Sequence, residues 1–209
     1  MDTWGLVVET AGPSLQLGLI RGEAPVAGLK WDASNQHAER LIVLSQALLA
    51  SHQLRWKDIQ YAVYHQGPGS HTGLRIGLAA VKAWALSLGW IVYPVPLMHT
   101  LYRWARHRLE LKGPIFTFWQ SRPAEWYGQI WEEEPVSPPE LLPQTEWERN
   151  AHSALWVGNH PSARFYVEEI RWQWVAYAAR YVEPLRGGEA IAGLVPLYYR
   201  DFIPTARKP

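Results

Sequence analysis

The chain has 209 residues, 48% of them apolar and 19% charged, enough for one globular domain or two small lobes with a real core; this excludes wholesale disorder and a large multidomain assembly. Twenty Lys and Arg against 19 Asp and Glu give a net charge of +1, too balanced for a protein whose affinity comes mainly from neutralising nucleic-acid phosphates. The lack of cysteine excludes disulfide frameworks, thiolate nucleophiles and thiolate metal sites. With no basic leader at Met1-Asp2-Thr3-Trp4-Gly5 and no apolar run of about 18 residues, the expected location is the cytoplasm. Thirteen tryptophans, most of them beyond residue 100, read as core filling, with an enlarged aromatic contact surface as the alternative.

In chain order, Leu6-Val7-Val8 and Leu15, Leu17, Leu19 and Ile20 read as two strands around a turn at Ala11-Gly12-Pro13-Ser14, with a third from Val26 to Trp31. A helix starts at Asn35-Gln36-His37 and runs to about His52. At 100° per residue, Leu41, Ile42, Leu44, Leu48 and Leu49 share one broad face, and Val43, Ala47 and Ala50 form a smaller stripe opposite. Ile59 to Tyr64 is a buried-strand candidate that enters the loop Gly67-Pro68-Gly69-Ser70. The next helix, Thr72 to Leu88, puts Leu74, Leu78, Val81, Ala85 and Leu88 on its best apolar face. Arg75 and Lys82 are its only charges, and Gly73, Gly77, Ala80 and Ala83 keep much of the rest small. A helix apolar nearly all round needs cover on more than one side.

Trp90 to Val95 reads as a strand and Leu97 to Leu111 as a helix with Arg103, Arg106 and Arg108 on its wet side. Residues 1–111 thus make an α/β lobe with helices on a mixed sheet. From residue 112 the pattern restarts. Ile115 to Trp119 and Tyr127 to Trp131 resemble paired strands, Pro135 to Pro143 a proline-rich loop, and Glu146 to Ala151 a short helix. Leu155 to Gly158 reads as a strand end and Gln173 to Tyr181 as a last helical stretch. The second half, 112–209, reads as a smaller, divergent repeat of the first.

A glycine loop leading into a helix invites phosphate binding, yet neither Gly67 nor Gly69 opens a Walker A pattern. The spacing Gly67, Gly69, Gly73 lacks the dinucleotide fingerprint and its acidic residue. Ser70 lacks the nucleophile elbow. His65 and His71, six apart across a loop, do not make a metal motif, so neither catalytic, cofactor nor metal residues are expected. Arg103, Arg106 and Arg108 around Trp104 offer RNA stacking and phosphate contact, against a plain solvated helix face.

The stretch Gln66-Gly67-Pro68-Gly69-Ser70-His71-Thr72-Gly73-Leu74-Arg75-Ile76-Gly77-Leu78-Ala79 resembles the G-P-G-S-F-T-G-L-R-I-G-L signature of the bacterial TsaB (YeaZ) family. His37-Ala38-Glu39-Arg40-Leu41 is similar to the H-S-E-R-L start of that family's first helix. Shorter echoes are Val8-Glu9-Thr10-Ala11 for I-D-T-S, Gln120-Ser121-Arg122-Pro123-Ala124-Glu125-Trp126-Tyr127 for D-A-R-R-x-E-V-Y, and Pro196-Leu197-Tyr198-Tyr199-Arg200 for P-x-Y-L-R.

The resemblance implies an actin-like, sugar-kinase-like (ribonuclease H-like) fold of two related lobes with the second reduced. It also implies a noncatalytic role in making N6-threonylcarbamoyladenosine on tRNA. The partners it implies are a paralogous TsaD-like transferase and a TsaE-like ATPase, with tRNA reached through the complex. In that family the two helices form a bundle with the partner's equivalents, which points to His37, Leu41, Leu44, Leu48, Gly73, Leu74, Gly77, Leu78 and Val81 as partner-interface residues. The same helices suit a homodimer. On this reading Gly77→Leu or Leu41→Asp weakens association and leaves the monomer folded; the alternative is that both helices pack only inside their own lobe, the glycines serving helix–sheet contact.

Glu9 and Gln120 stand where the family has Asp, and His71 where it has Phe. Two rival functions remain at this stage. One is a nucleotide-dependent phosphotransferase or ATPase sensitive to Glu9, and the other is direct tRNA binding through the Arg103–Arg108 helix and the aromatic second lobe.

Overall fold

The computed structural model describes residues 3–32 and 36–198. Met1 and Asp2, Asn35 at the expected start of the first helix, and Tyr199-Arg200 of the last motif lie outside the described residues. The first half supplies β1 (Trp4–Glu9), β2 (Leu15–Arg21), β3 (Ala24–Trp31), α1 (His37–Ser51), β4 (Ile59–Gly67), α2 (His71–Leu88), β5 (Ile91–Pro96) and α3 (Leu97–Arg108). The second supplies β6 (Ile115–Arg122), β7 (Glu125–Trp131), β8 (Glu140–Pro143), α4 (Gln144–Asn150), β9 (Leu155–Gly158), β10 (Phe165–Tyr166), α5 (Trp172–Ala178) and α6 (Gly188–Gly193).

The first sheet runs β3-β2-β1-β4-β5, antiparallel at β3/β2 and β2/β1, parallel at β1/β4 and β4/β5. The second runs β8-β7-β6-β9-β10 with the same alternation of pairing. Both halves therefore thread one topology, third-second-first-fourth-fifth strand, and the expected α/β fold of two related lobes is what the chain adopts. The second lobe is the shorter version, with β10 only two residues long.

Strand alternation decides which layer each side chain enters. From β1, Leu6 and Val8 point up with Ala62 and Tyr64 of β4 into a core closed by Leu41, Leu48, Leu74 and Val81 of α1 and α2. Val7 and Val63 point the other way, against Leu101 and Ala105 of α3, Val175 of α5, and Ile115 and Val157 of the second sheet. Phe116, Phe118 and Trp126 then pack the far face of the second sheet against Trp147 of α4. The result is five layers: α1 and α2, first sheet, α3 and α5, second sheet, α4.

The segment after β10 returns to the first sheet. The Trp172 indole lies on β2 and β3, where a Cβ at Gly18 or Gly28 would come within 2.0 or 2.4 Å of it. Its backbone N–H donates to Gln16 Oε1 at 3.1 Å, and Gln16 Nε2 donates to Ile170 O at 2.8 Å. Farther on, Leu185 exchanges two backbone hydrogen bonds with Val92, Lys82 donates to Ala192 O at 2.6 Å, and Leu197 N donates to Gln66 O at 2.9 Å. This strap lies along α2.

Several elements depart from the sequence expectation. β8 forms inside the proline-rich loop, because as an edge strand it tolerates Pro143 without losing an interior ladder bond. The third helix ends at Arg108, three residues short of Leu111, and α6 and β10 were not expected. Among the described residues no helix is long and apolar enough to cross a membrane.

Candidate functional site

Two places concentrate the residues singled out above: the strand ends around Glu9, and the outer layer of α1 and α2. At the first, Glu9 is 1% exposed. One carboxylate oxygen accepts the Ala11 N–H at 2.7 Å and the Gly12 N–H at 3.0 Å, and the other meets His65 Nδ1. The neighbouring loop is closed in the same way. Ser70 N donates to Ala11 O at 2.8 Å, and Ser70 Oγ caps α2 by accepting the Gly73 N–H at 3.1 Å. Tyr64, whose hydroxyl burial holds well above its ordinary range, donates to Leu74 O at 2.9 Å. The loop N–H donors of Ala11, Gly12, Ser70 and Gly73 are thus spent within the chain. In the second lobe, Gln120 N donates to Asn159 Oδ1 at 2.5 Å. Among the described residues no group of three His, Asp or Glu could hold a metal ion.

At the second place the structure sets most of the named interface residues against their own sheet. His37, Leu41, Leu48, Gly73, Leu74, Gly77, Leu78 and Val81 are buried inside their own lobe, and Leu44 is half-buried. The two glycines serve helix–sheet contact: a Cβ at Gly73 would lie 1.9 Å from Thr10 O, and one at Gly77 2.3 Å from Thr10 Oγ1. Gly77→Leu and Leu41→Asp would therefore damage the lobe itself, contrary to the expectation of a folded monomer. The broad apolar face of each helix satisfies the sheet, and a second apolar face remains outside. On α1 Ile42 and Val43 are 46% and 58% exposed; on α2 Ala79, Ala83 and Leu86 are exposed, and Leu88, at the C-terminal end of the sheet-facing stripe, is exposed as well. Arg75 is exposed among them.

His71 has a clear partner. Its ring stacks on Tyr198 with centroids 4.4 Å apart and planes 3° from parallel, and Arg75 Nε donates to the Tyr198 hydroxyl at 3.3 Å. An imidazole here pins the strap to the start of α2. Of the three arginines on α3, Arg106 is committed to Leu111 O at 2.7 Å and Glu132 O at 2.5 Å, while Arg108 is exposed. Sequence reasoning missed Ile42 as a solvent-facing residue, since the wheel places it on the broad face with Leu41. It also missed the strap, whose short α6 carries no long periodicity.

The family model described as TsaD, tRNA N6-adenosine threonylcarbamoyltransferase, matches residues 31–125. The chain is 31% identical over 111 residues to the tRNA threonylcarbamoyladenosine biosynthesis protein TsaB of Bacillus subtilis, covering 53% of this chain and 48% of that one. It is 30% identical over 103 residues to the tRNA N6-adenosine threonylcarbamoyltransferase of Pyrobaculum arsenaticum, covering 43% of this chain and 31% of that one. The matched region spans about half the length of the TsaB protein or less. In structure, YeaZ from Pseudomonas aeruginosa superposes with a TM-score of 0.74 at 18% identity, over 94% of this chain and 99% of that one. The chain thus has the YeaZ fold and resembles a TsaB protein in sequence over about half of its length.

Proposed function

We propose that this chain, TsaB-like in sequence and YeaZ-like in fold, is a noncatalytic subunit of the machinery that makes N6-threonylcarbamoyladenosine on tRNA. It docks a paralogous TsaD-like transferase on the outer face of α1 and α2. One observation carries the reading: after both helices have buried their broad faces, Ile42, Val43, Ala79, Ala83 and Leu86 still stand in water. Burying such area against a partner contributes roughly 25 cal/mol per Å2. The family model for the transferase matches residues 31–125, the stretch containing both helices. A pair of paralogues can therefore meet through equivalent elements, as two copies of one chain do in a two-fold dimer.

The strand-end chemistry supports the noncatalytic part. One Glu9 carboxylate oxygen takes the Ala11 and Gly12 amides, which leaves a nucleotide phosphate without those two donors. The ATPase rival requires the isolated chain to turn over ATP in a manner sensitive to Glu9. The TsaE-like ATPase joins the assembled pair, tRNA is reached through that complex in the cytoplasm, and in the absence of partner the same face pairs two copies. The lobes divide near residues 111 and 112.

The test is co-expression with the TsaD-like transferase of the same genome and mass measurement of the copurified complex. Wild type retains the transferase, and Val43→Glu and Ala79→Arg each lose it while the melting temperature stays within about 2 °C, as for other exposed positions. Copurification undiminished in both variants would falsify the docking face.

A further inference from the structure

Where α3 and α5 emerge from between the sheets, their side chains form a row of rings and cations. Trp104 stacks on Trp174 with centroids 4.5 Å apart and His107 on Tyr177 at 4.4 Å, and Tyr177 meets Tyr181 edge-on at 5.7 Å. Arg103 sits over Tyr181 at 4.1 Å, Arg180 over Tyr177 at 5.1 Å, and Arg171 over Trp174 at 5.9 Å. Beside the tryptophan pair opens a pocket of about 630 Å3, bordered by Trp104, Trp174, Tyr166, Arg171, Lys30 and Glu169 among others.

The carboxylates of Asp32, Glu169 and Glu23 beside the seam are already held by cations. Lys30 bridges both Glu169 at 2.7 Å and Asp32 at 3.1 Å, Glu169 also accepts a hydrogen bond from Ser14, and Glu23 is paired with Arg180 at 3.2 Å. Arg108 and Arg171 are exposed and enter no ion pair among the described residues. Glu168, exposed where it borders the pocket, and Asp32, exposed beside Lys30, are the opposing charges.

We infer that this seam is a second contact surface and that its occupant is an unpaired stretch of RNA. A base packs against the Trp104–Trp174 pair at the pocket, its phosphate lies on Arg171, and the strand continues past His107 to Arg108. Rings accept any base by stacking, and guanidinium groups both bind phosphate and stack on bases. An acidic peptide would engage the cations and leave the tryptophans idle, so the ring content favours RNA. That the RNA is a tRNA rests on the function proposed above; the seam's preference for unpaired RNA does not.

The full-length chain is titrated with a labelled single-stranded RNA of about 12 nucleotides, within the span of known single-strand sites, and separately with a labelled polyglutamate peptide. Salt is varied between about 50 and 200 mM. Arg171→Gln weakens RNA binding and lowers the salt slope by about one. Trp174→Leu weakens it roughly ten-fold while Trp174→Phe, which keeps a ring, restores most of the loss. Glu168→Gln strengthens it. The inference is overturned if wild type does not bind the RNA, if Arg171→Gln and Trp174→Leu bind as wild type does, or if the peptide binds as tightly as the RNA. Transferase copurification is read on the same preparations. A chain that keeps the transferase and ignores RNA sinks the seam alone, and one that binds RNA and never the transferase sinks the docking function alone.

Discussion

Thr10 is the reason positions 73 and 77 have no side chain: its carbonyl and hydroxyl occupy the space where each Cβ would stand. Even Gly73→Ala drives a methyl into the backbone oxygen of the residue that follows β1, so α2 has to lift from the end of that strand. The expected cost is about 3 kcal/mol, at the upper end of overpacking, or a melting temperature lower by roughly 6–12 °C in a chain of this size, read by circular dichroism. A second residue-scale effect concerns pH. His99 lies edge-on to Trp131 and accepts Arg103 Nε at 3.3 Å. Burial first, and the Arg103 charge second, push its imidazole from 6.5 down to about 4. The folded chain keeps His99 neutral where the unfolded chain binds a proton. Its contribution is therefore complete above pH 6.5 and is lost as pH falls from there through about 4. Urea unfolding should show wild type losing about 3 kcal/mol more than His99→Phe between about pH 7.5 and pH 4.

At the scale of elements, α1 and α2 show what could be read in advance and what could not. Their existence, and the excess of apolar surface on both, follow from the periodicity of Leu41, Leu48, Leu74 and Val81. The loop at Gly67-Pro68-Gly69-Ser70 and the alternation in β1 and β4 place them on one side of a mixed sheet. A helical wheel with two apolar sides does not say which side meets the sheet. The sheet takes the broader one, so Leu41, Leu48, Leu74 and Val81 are buried and the smaller stripe with Val43 is left outside. Edge strand β8 and six-residue α6 were illegible for a different reason: prolines mask the first, and the second is too short for a period to register. Trp172 shows the same limit. Nothing local in Arg171-Trp172-Gln173 announces that two glycines about 150 residues upstream form its seat. Trp172→Ala should cost about 3–5 kcal/mol, measured by urea unfolding, because the vacated platform is glycine backbone that cannot collapse to fill it.

That seat decides how the whole molecule holds together. The lower face of the first sheet, with Val7, Ile20 and Val63, is covered by α5 from the second half as well as by α3 from the first. α5 also ties the lobes through Gln16, whose amide binds backbone on both sides of the junction between Ile170 and Trp172. Glu169, just before it, is held by Lys30 and Ser14; burial pushes its carboxyl up, but those hydrogen bonds outweigh it and keep it below the usual range. A fragment of residues 1–111 keeps every strand of the first sheet yet exposes the strip that Trp172, Val175 and Ala176 cover. An exposed apolar face of that kind on a half-covered sheet drives association rather than folding. Expressed alone, the fragment should be recovered as aggregate or as a protease-sensitive chain without a cooperative thermal transition. Co-expression with residues 112–209 should restore the transition, since α5 and the strap then reach their seats in trans. A fragment 1–111 that melts cooperatively as a monomer would show that α3 alone closes the lower core, and the return of α5 would then be attachment rather than completion of the first lobe.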